Sequence, residues 1–304
     1  MFRPAGRAVL ALPIVLLIAA GCGATGNGSG DSGSAGSSTT ADSGPGKNAA
    51  LAAMVPADVA KDGKLTIGTD TTYAPSEFVD ENNKNVGMDI DLGDAVAKEL
   101  GLSADFQTAS FDGILAGLSA GKFELAMSSF SVNTERLQTV DMVSYFTAGT
   151  SMAVLKGNPG GLTLDTLCGH TVSAQKGTTQ ADDLAARSAK CTGDGKLAIT
   201  VSEFQAQTDV TLALTSKRAE AMLADSPVVD YAIKQTGQLE KVGNSYANAP
   251  YGIGVAKNKG DLAKAVQGAV QALIDDGTYK KILDKWGVGA GAVTKSELNP
   301  QTSG

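Results

Sequence analysis

From about Asp58 onward, short apolar runs bounded by glycine or a polar turn alternate with stretches of helical spacing, which confines the chain to few folds. Residues 65–69 lie between Gly63 and Asp70 as a buried strand. Residues 86–88 lead into Asp89, Ile90 and Asp91, after which Leu92, Ala95, Val96 and Leu100 recur at helical spacing until Gly101. Acidic residues at that helix start suit the positive end of its dipole. Residues 104–108 and 125–127 read as strands, with a helix over 113–120 between them. A second series follows Gly149, with strands over 151–155, 171–174, 197–201, 219–223 and 251–256. Helices over 180–188, 205–214, 227–235 and 262–274 intervene, and Tyr279, Ile282, Leu283 and Trp286 read as core or as a docking C-terminal helix. Repeated βαβ units imply mostly parallel sheets covered by helices on both faces. Two such sheets suggest two α/β lobes, with ligands beyond the carboxyl ends of the strands. Polar residues cluster there at positions 70–73, 128–131, 176–180 and 225–226.

The N-terminal part is of another kind. Arg3 and Arg7 precede a twelve-residue apolar run over 9–20, interrupted only by Pro13, as in a secretory signal and too short for an ordinary transmembrane helix. Ala19, Ala20 and Gly21 then lead to Cys22, a pattern that resembles a bacterial lipobox, although the family prefers leucine where Ala19 stands. Residues 23–47 are rich in Gly and Ser and hold no large apolar side chain, so they read as a flexible linker. If that linker runs to Val55, its reach is about 30 Å. Gly21, Gly23 and Gly26 match a dinucleotide fingerprint by letter, but no strand precedes them and no helix follows.

Composition excludes several functions. The 304 residues are 42% apolar, enough for a sizeable core, and carry 25 Lys and Arg against 32 Asp and Glu. A chain this acidic, whose longest basic run is Lys280-Lys281, lacks the footprint of a nucleic-acid binder. One histidine and three cysteines do not supply a metal framework. With Cys22 in the lipobox, Cys168 and Cys191 remain. They flank a strand and the helix over 180–188, and an exported protein meets oxidising conditions, so a disulfide between them is expected.

Five ordered motifs carry a resemblance. The segment Ile67-Gly68-Thr69-Asp70-Thr71-Thr72-Tyr73-Ala74-Pro75 resembles the opening strand of polar amino-acid-binding proteins of bacterial ABC importers, the family 3 solute-binding proteins. Val86-Gly87-Met88-Asp89-Ile90-Asp91-Leu92 is similar to that family's second motif. Met127-Ser128-Ser129-Phe130-Ser131 with Glu135-Arg136 is similar to its third. Lys176-Gly177-Thr178-Thr179-Gln180 and Asp276-Gly277-Thr278-Tyr279 complete the match. The resemblance covers about residues 60–287 and implies the type II periplasmic-binding-protein fold, two α/β lobes joined by a two-crossing hinge. The crossings fall near Gly149 and Asn248. The expected organisation is a signal peptide over 1–21, the lipidated cysteine and linker over 22–55, lobe 1 over 56–149 plus 248–290, lobe 2 over 150–247 and a tail over 291–304.

The chemistry agrees with the resemblance. A zwitterionic amino acid needs a cation for its carboxylate and an anion for its ammonium. Arg136 is one of three arginines beyond the signal, and a guanidinium grips a carboxylate bidentately. By the resemblance it holds the ligand carboxylate with Ser131 and Thr179, while Asp225 takes the ammonium with help from Ser129, and Ser128 and Thr178 are further ligand-binding candidates. The same resemblance places Tyr73 and Phe111 on the two faces of the ligand side chain and Asp70 at its far end, and Gln175 is a weaker candidate that would suit an amide side chain. As packing and capping residues these positions would also be unremarkable. Glu77 and Gln180 are outer candidates, and His170 reads as a turn histidine. No catalytic pair and no cofactor are expected.

The expected function is a monomeric, non-enzymatic binding protein, anchored through Cys22 to the outer face of the cell membrane. It would deliver a polar amino acid to an ABC permease and its ATPase. Two aromatic faces and Asp70 favour arginine, lysine or ornithine, and glutamine is the alternative, because its amide also donates to an aspartate. Other readings are a ligand-sensing domain and an enzyme similar to the cyclohexadienyl dehydratases.

Overall fold

The computed structural model describes residues 46–302, so the signal segment, Cys22 and most of the Gly/Ser-rich stretch lie outside the described residues. The strands are β1 (Lys64–Thr69), β2 (Thr72–Tyr73), β3 (Glu77–Val79), β4 (Asn85–Val86), β5 (Ser103–Thr108), β6 (Leu125–Ala126), β7 (Val140–Leu155), β8 (Thr171–Gln175), β9 (Thr200–Phe204), β10 (Ala221–Asp225) and β11 (Leu239–Ala256). The helices are α1 (Ala49–Ala52), α2 (Ala57–Ala60), α3 (Met88–Glu99), α4 (Phe111–Ser119), α5 (Thr134–Thr139), α6 (Thr179–Gly193), α7 (Gln207–Thr215), α8 (Ser226–Thr236), α9 (Leu262–Asp275) and α10 (Thr278–Trp286). Local rules account for their ends. Helix α6 is capped by the Thr178 hydroxyl, which accepts from the Ala181 N–H, and α8 has proline in its first turn and left-handed Gly237 after its last. Gly87 opens α3 at φ +137°, where any Cβ would lie 2.1 Å from the Ser76 carbonyl oxygen.

Eight strands form one sheet in the order β5-β1-β6-β11-β7-β10-β8-β9, and β2, β3 and β4 form a small second sheet. The sequence reading of two separate sheets is thereby corrected. Strands β7 and β11 run antiparallel through both halves, with 16 and 18 residues, where alternation alone marks only their apolar ends. Polar residues such as Ser144, Thr147, Ser245 and Asn248 blur the pattern in between. On one side of this pair β6, β1 and β5 are parallel neighbours, and on the other β10, β8 and β9 are. These are the two α/β lobes of the type II fold, joined by a two-crossing hinge. The β7–β11 register breaks between Val242 and Tyr246 and again between Tyr246 and Ala249. Opposite the breaks, a Cβ on Gly149 would lie 2.3 Å from the Asn248 side-chain oxygen, so only glycine fits this approach of the two strands.

Each lobe has its own core. In lobe 1, Ile67, Leu92, Val96, Tyr145, Ile253, Val266 and Leu273 are fully buried together. In lobe 2, Val172, Leu184 and Leu223 pack on one face of the sheet, and Val210, Met222 and Val229 on the other. Both chain ends of the described body pack on lobe 1. Residues 48–55, which sequence reading assigns to the linker, are docked: the Asn48 N–H donates to the Glu99 carbonyl at 2.9 Å, and Leu51 and Met54 lie on the core. Strand β10 covers only residues 150–154 of β7, and the tail takes the open edge further back. There the Ser144 N–H donates to the Glu297 carbonyl and the Asn299 N–H to that of Met142, which protects the strand from foreign pairing.

Cys168 and Cys191 are joined by a disulfide with their Cα atoms 5.6 Å apart, tying the turn before β8 to α6 beside the lobe 2 core. Closing a loop between positions 23 residues apart contributes about 3 kcal/mol in the chain-entropy model. Replacing both cysteines by serine should lower the unfolding free energy by about that amount, measured by denaturant titration. Two titratable thiols in the unreduced protein would overturn the pairing.

Candidate functional site

The carboxyl ends of β1, β6, β8 and β10 face each other across the lobes, and the polar clusters fall there. Tyr73, Phe111, Ser129, Ser131 and Arg136 from lobe 1, with Thr178, Thr179 and Asp225 from lobe 2, line one pocket. Eight of the expected positions thus meet, and Gln180 joins them. Asp70, Ser128 and Gln175 do not line it. The Ser128 hydroxyl is turned the other way, where it accepts from the Asp70 N–H at 3.0 Å and donates to Glu77 at 2.9 Å. The Gln175 amide donates to Asp70 across the lobes and to the Gln205 carbonyl at 2.9 Å. His170 sits with Glu220, 3.0 Å away, outside the pocket.

Arg136 lies in α5, whose N-cap Asn133 accepts from the Arg136 N–H at 2.8 Å. Its guanidinium is half-buried, donates to the Ser131 carbonyl at 2.8 Å and to the Gly177 carbonyl of the other lobe at 3.2 Å, and sits 5.5 and 5.3 Å above the rings of Phe111 and Phe130. Those rings stack at 4.6 Å. Phe130 was not singled out in the sequence, although its place inside the third motif was the available signal. Burial holds the guanidinium below its ordinary basicity, and the Asp225 charge opposes that. The first turn of α6, with its N–H groups lacking intrahelical partners, adds donors at Thr179 and Gln180.

Asp225 ends β10 and is 5% exposed. Its carboxylate accepts from the Tyr73 hydroxyl at 2.9 Å and the Gln180 amide at 2.8 Å. Burial raises its pKa, and the hydrogen bonds and Arg136 counter the rise. Among the described residues, no ion pair includes Arg136 or Asp225. One pocket therefore offers a cation and an anion, on different lobes, each held by neutral groups.

The lobes meet closely here. Besides Tyr73–Asp225 and Gln175–Asp70, the Gln207 N–H donates to the Thr72 hydroxyl at 3.0 Å and Lys176 pairs with Asp112 at 3.0 Å. The Tyr73 ring itself is buried among Val210, Leu214 and Val228 of lobe 2. The pocket in this closed form spans about 10 Å³, the scale of a single water. An amino acid requires the lobes to part. A larger open groove of about 850 Å³ lies by Phe146, Tyr231 and Trp286, but its Asp230 and Lys285 are already paired, with Lys241 and Asp91.

Behind the pocket wall lies an acidic pair that sequence reading treats only in part. Glu77 and Asp89 are fully buried and both are bound by Ser129, Asp89 by its N–H and Glu77 by its hydroxyl. Asp89 accepts from that N–H at 2.9 Å and from the Tyr145 hydroxyl at 2.8 Å.

Comparison with known proteins identifies the family and agrees with the fold. The family model of bacterial extracellular solute-binding proteins, family 3, matches residues 65–289. The arginine-binding protein ArgT of Corynebacterium glutamicum is 34% identical over 253 residues, covering 83% of each chain. Among solved structures, an ancestral arginine-binding protein bound to arginine is 35% identical with a TM-score of 0.68, covering 74% of this chain and 98% of that one. An ancestral arginine-binding protein bound to glutamine is 34% identical with a TM-score of 0.67 and the same coverage. The motif order, the fold and these likenesses together make the chain a member of the bacterial extracellular solute-binding proteins, family 3.

Proposed function

We propose that this protein is the solute-binding component of an ABC importer, which closes its two lobes on a polar amino acid and hands it to a permease powered by an ATPase. One observation carries the reading: a half-buried arginine and a buried aspartate, neither in an ion pair, face one inter-lobe pocket from opposite lobes. Arg136, Ser131 and Thr179 take the ligand's carboxylate, and Asp225 with Ser129 takes its ammonium. Tyr73 and Phe111 flank the side chain, and Thr178 shapes the α6 end. Once the lobes open, Asp70 and Gln175 exchange their mutual hydrogen bond for the ligand's far end. A cation there gains a charge-assisted bond worth about 1.5–3 kcal/mol. The arginine-binding relatives support a basic ligand. The glutamine-bound ancestral structure supports a second reading, in which an amide donates to Asp70. The lobe limits at 56–149 plus 248–290 and 150–247 follow from the crossings near Gly149 and Asn248. Export, with Cys22 carrying a lipid at the outer membrane face, belongs to the same reading. Binding, not catalysis, is the role proposed.

Three measurements test it. Calorimetry against the twenty amino acids, ornithine and citrulline should show arginine, lysine or ornithine as the strongest ligands. Tight glutamine binding with basic amino acids silent at about millimolar concentration, the weak end of the affinity scale, would reverse that order. Arg136→Ala should weaken any amino acid by about two to nearly four decades, since it strands a buried carboxylate. A loss below about fivefold, roughly 1 kcal/mol, would move the carboxylate elsewhere. Finally, Phe78 of lobe 1 packs 5.8 Å from Tyr231 of lobe 2 and 5.7 Å from Trp286, the chain's one tryptophan. Its emission should therefore change as ligand shifts the population from open to closed, and a flat signal at saturation would remove the clamshell step.

A further inference from the structure

The Glu77–Asp89 pair has an arrangement that packing alone does not explain. Both carboxyl groups are fully buried, and among the described residues no lysine, arginine or histidine pairs with either. The groups that face them are Asp70 at the end of β1, Tyr73 on β2, Tyr145 on β7 and the Ser128 and Ser129 turn after β6. Two adjacent buried carboxylates, with a third nearby and no cation, repel one another strongly, so one of them keeps its proton. Donor geometry decides which. Asp89 accepts from the Ser129 N–H and the Tyr145 hydroxyl, both of which favour its ionised form. Glu77 receives only hydroxyls, from Ser128 at 2.9 Å and Ser129 at 3.3 Å, so of the two it is the one that keeps the proton. Burial and the Asp89 charge push the Glu77 carboxyl well above its usual range.

This pair grips the pocket wall. Ser129 has φ +52°, a left-handed conformation that costs a serine free energy and needs partners to hold it. Its N–H is held by Asp89 and its hydroxyl by Glu77, while the Ser128 hydroxyl bridges Glu77 to the backbone of Asp70. Glu77 and Asp89 thus join the turn carrying Ser129 to the strand end carrying Asp70, without reaching the pocket themselves.

We propose that Glu77 and Asp89 share one proton and, through it, position Ser129 and Asp70 for the amino acid, so that losing that proton unseats this wall and weakens binding. Glu77 is a positioning residue, and the proposal rests on the amino-acid reading of the pocket. Glu77→Gln keeps the shape and permanently supplies the N–H that stands in for the shared proton. Glu77→Ala removes both the hydrogen bond to Ser128 and the proton.

The test compares binding of L-arginine and L-glutamine by calorimetry across neutral to alkaline pH for the protein and both variants. Loss of the ligand's own ammonium charge is common to all three, so the ratio between proteins is the readout. At neutral pH Glu77→Gln should bind within about threefold of the parent, and Glu77→Ala about tenfold or more weaker. Once the pair ionises, the parent's affinity should fall by a further tenfold or so per pH unit relative to Glu77→Gln, as the competent fraction shrinks. Parallel profiles for the two, or a Gln variant that misfolds or binds as poorly as the Ala variant, would overturn the proposal. A second readout needs no ligand. The folded pKa of Glu77 is raised above its unfolded value near 4.5, so the stabilising contribution is complete below that value and is lost as pH rises toward the folded pKa. The parent's unfolding midpoint should therefore fall with rising pH relative to Glu77→Gln. If no amino acid binds the parent, the pocket reading fails, whereas parallel unfolding curves would sink the shared proton by themselves.

Discussion

Arg136 and Asp225 are opposite charges that the fold brings to one pocket without letting them neutralise each other. Arg136 is carried by α5 in lobe 1 and spends two of its donors on backbone carbonyls, and Asp225 ends a strand of lobe 2 with only neutral donors around it. Had the two met directly, their pairing would compete with any zwitterion. Because each is solvated by dipoles instead, the charge of each remains available. Much of the surrounding structure maintains this state. The α5 cap aims Arg136, the Phe111–Phe130 stack supports its flat face, and Gln180 reaches between Thr150 and Asp225.

The two charges belong to separate bodies whose relative position depends on β7 and β11. A long antiparallel pair is stiff along its hydrogen-bonded lengths and yields where register is broken. The breaks around Tyr246 lie opposite Gly149, whose missing side chain lets the strands approach. Each lobe keeps a complete core on its own side, so motion at the breaks exposes little apolar surface beyond the Tyr73 ring and the Phe78 contact. Burying a large aromatic side chain is worth about 1.5–3 kcal/mol. The Tyr73 insertion alone therefore gives closure a measurable preference, which inter-lobe hydrogen bonds extend.

Much of this was legible in the chain. The strand-helix alternation identified the α/β class, and three of the five motifs, with Phe111 and Asp225 besides, located the residues that meet in the pocket. Asp225 at the end of β10 and Arg136, one of three arginines beyond the signal, are readable because such charges are uncommon there. Phe130 was visible only as a motif member, and Gln180 as an outer candidate. The long middle sections of β7 and β11 were not legible, because a strand pair crossing from one lobe to the other loses the regular inside–outside alternation that marks a strand with one buried face. Residues 48–55 look like linker because their few apolar side chains find partners only on a core assembled from distant segments.

The sequence by itself determined the two-lobed α/β class, the charges that face the pocket and the cysteines able to pair, since these depend on residue type, order and local periodicity. Tertiary structure decided that eight strands share one sheet, that Ser128 turns from the pocket toward Glu77, and that Gln175 rather than solvent meets Asp70. It also decided that two acids, Glu77 and Asp89, are sealed together with no cation paired to them among the described residues. Those outcomes depend on which side chains from distant segments share a dry volume, and hydrogen-bond partners and proton affinities are properties of that volume rather than of either residue.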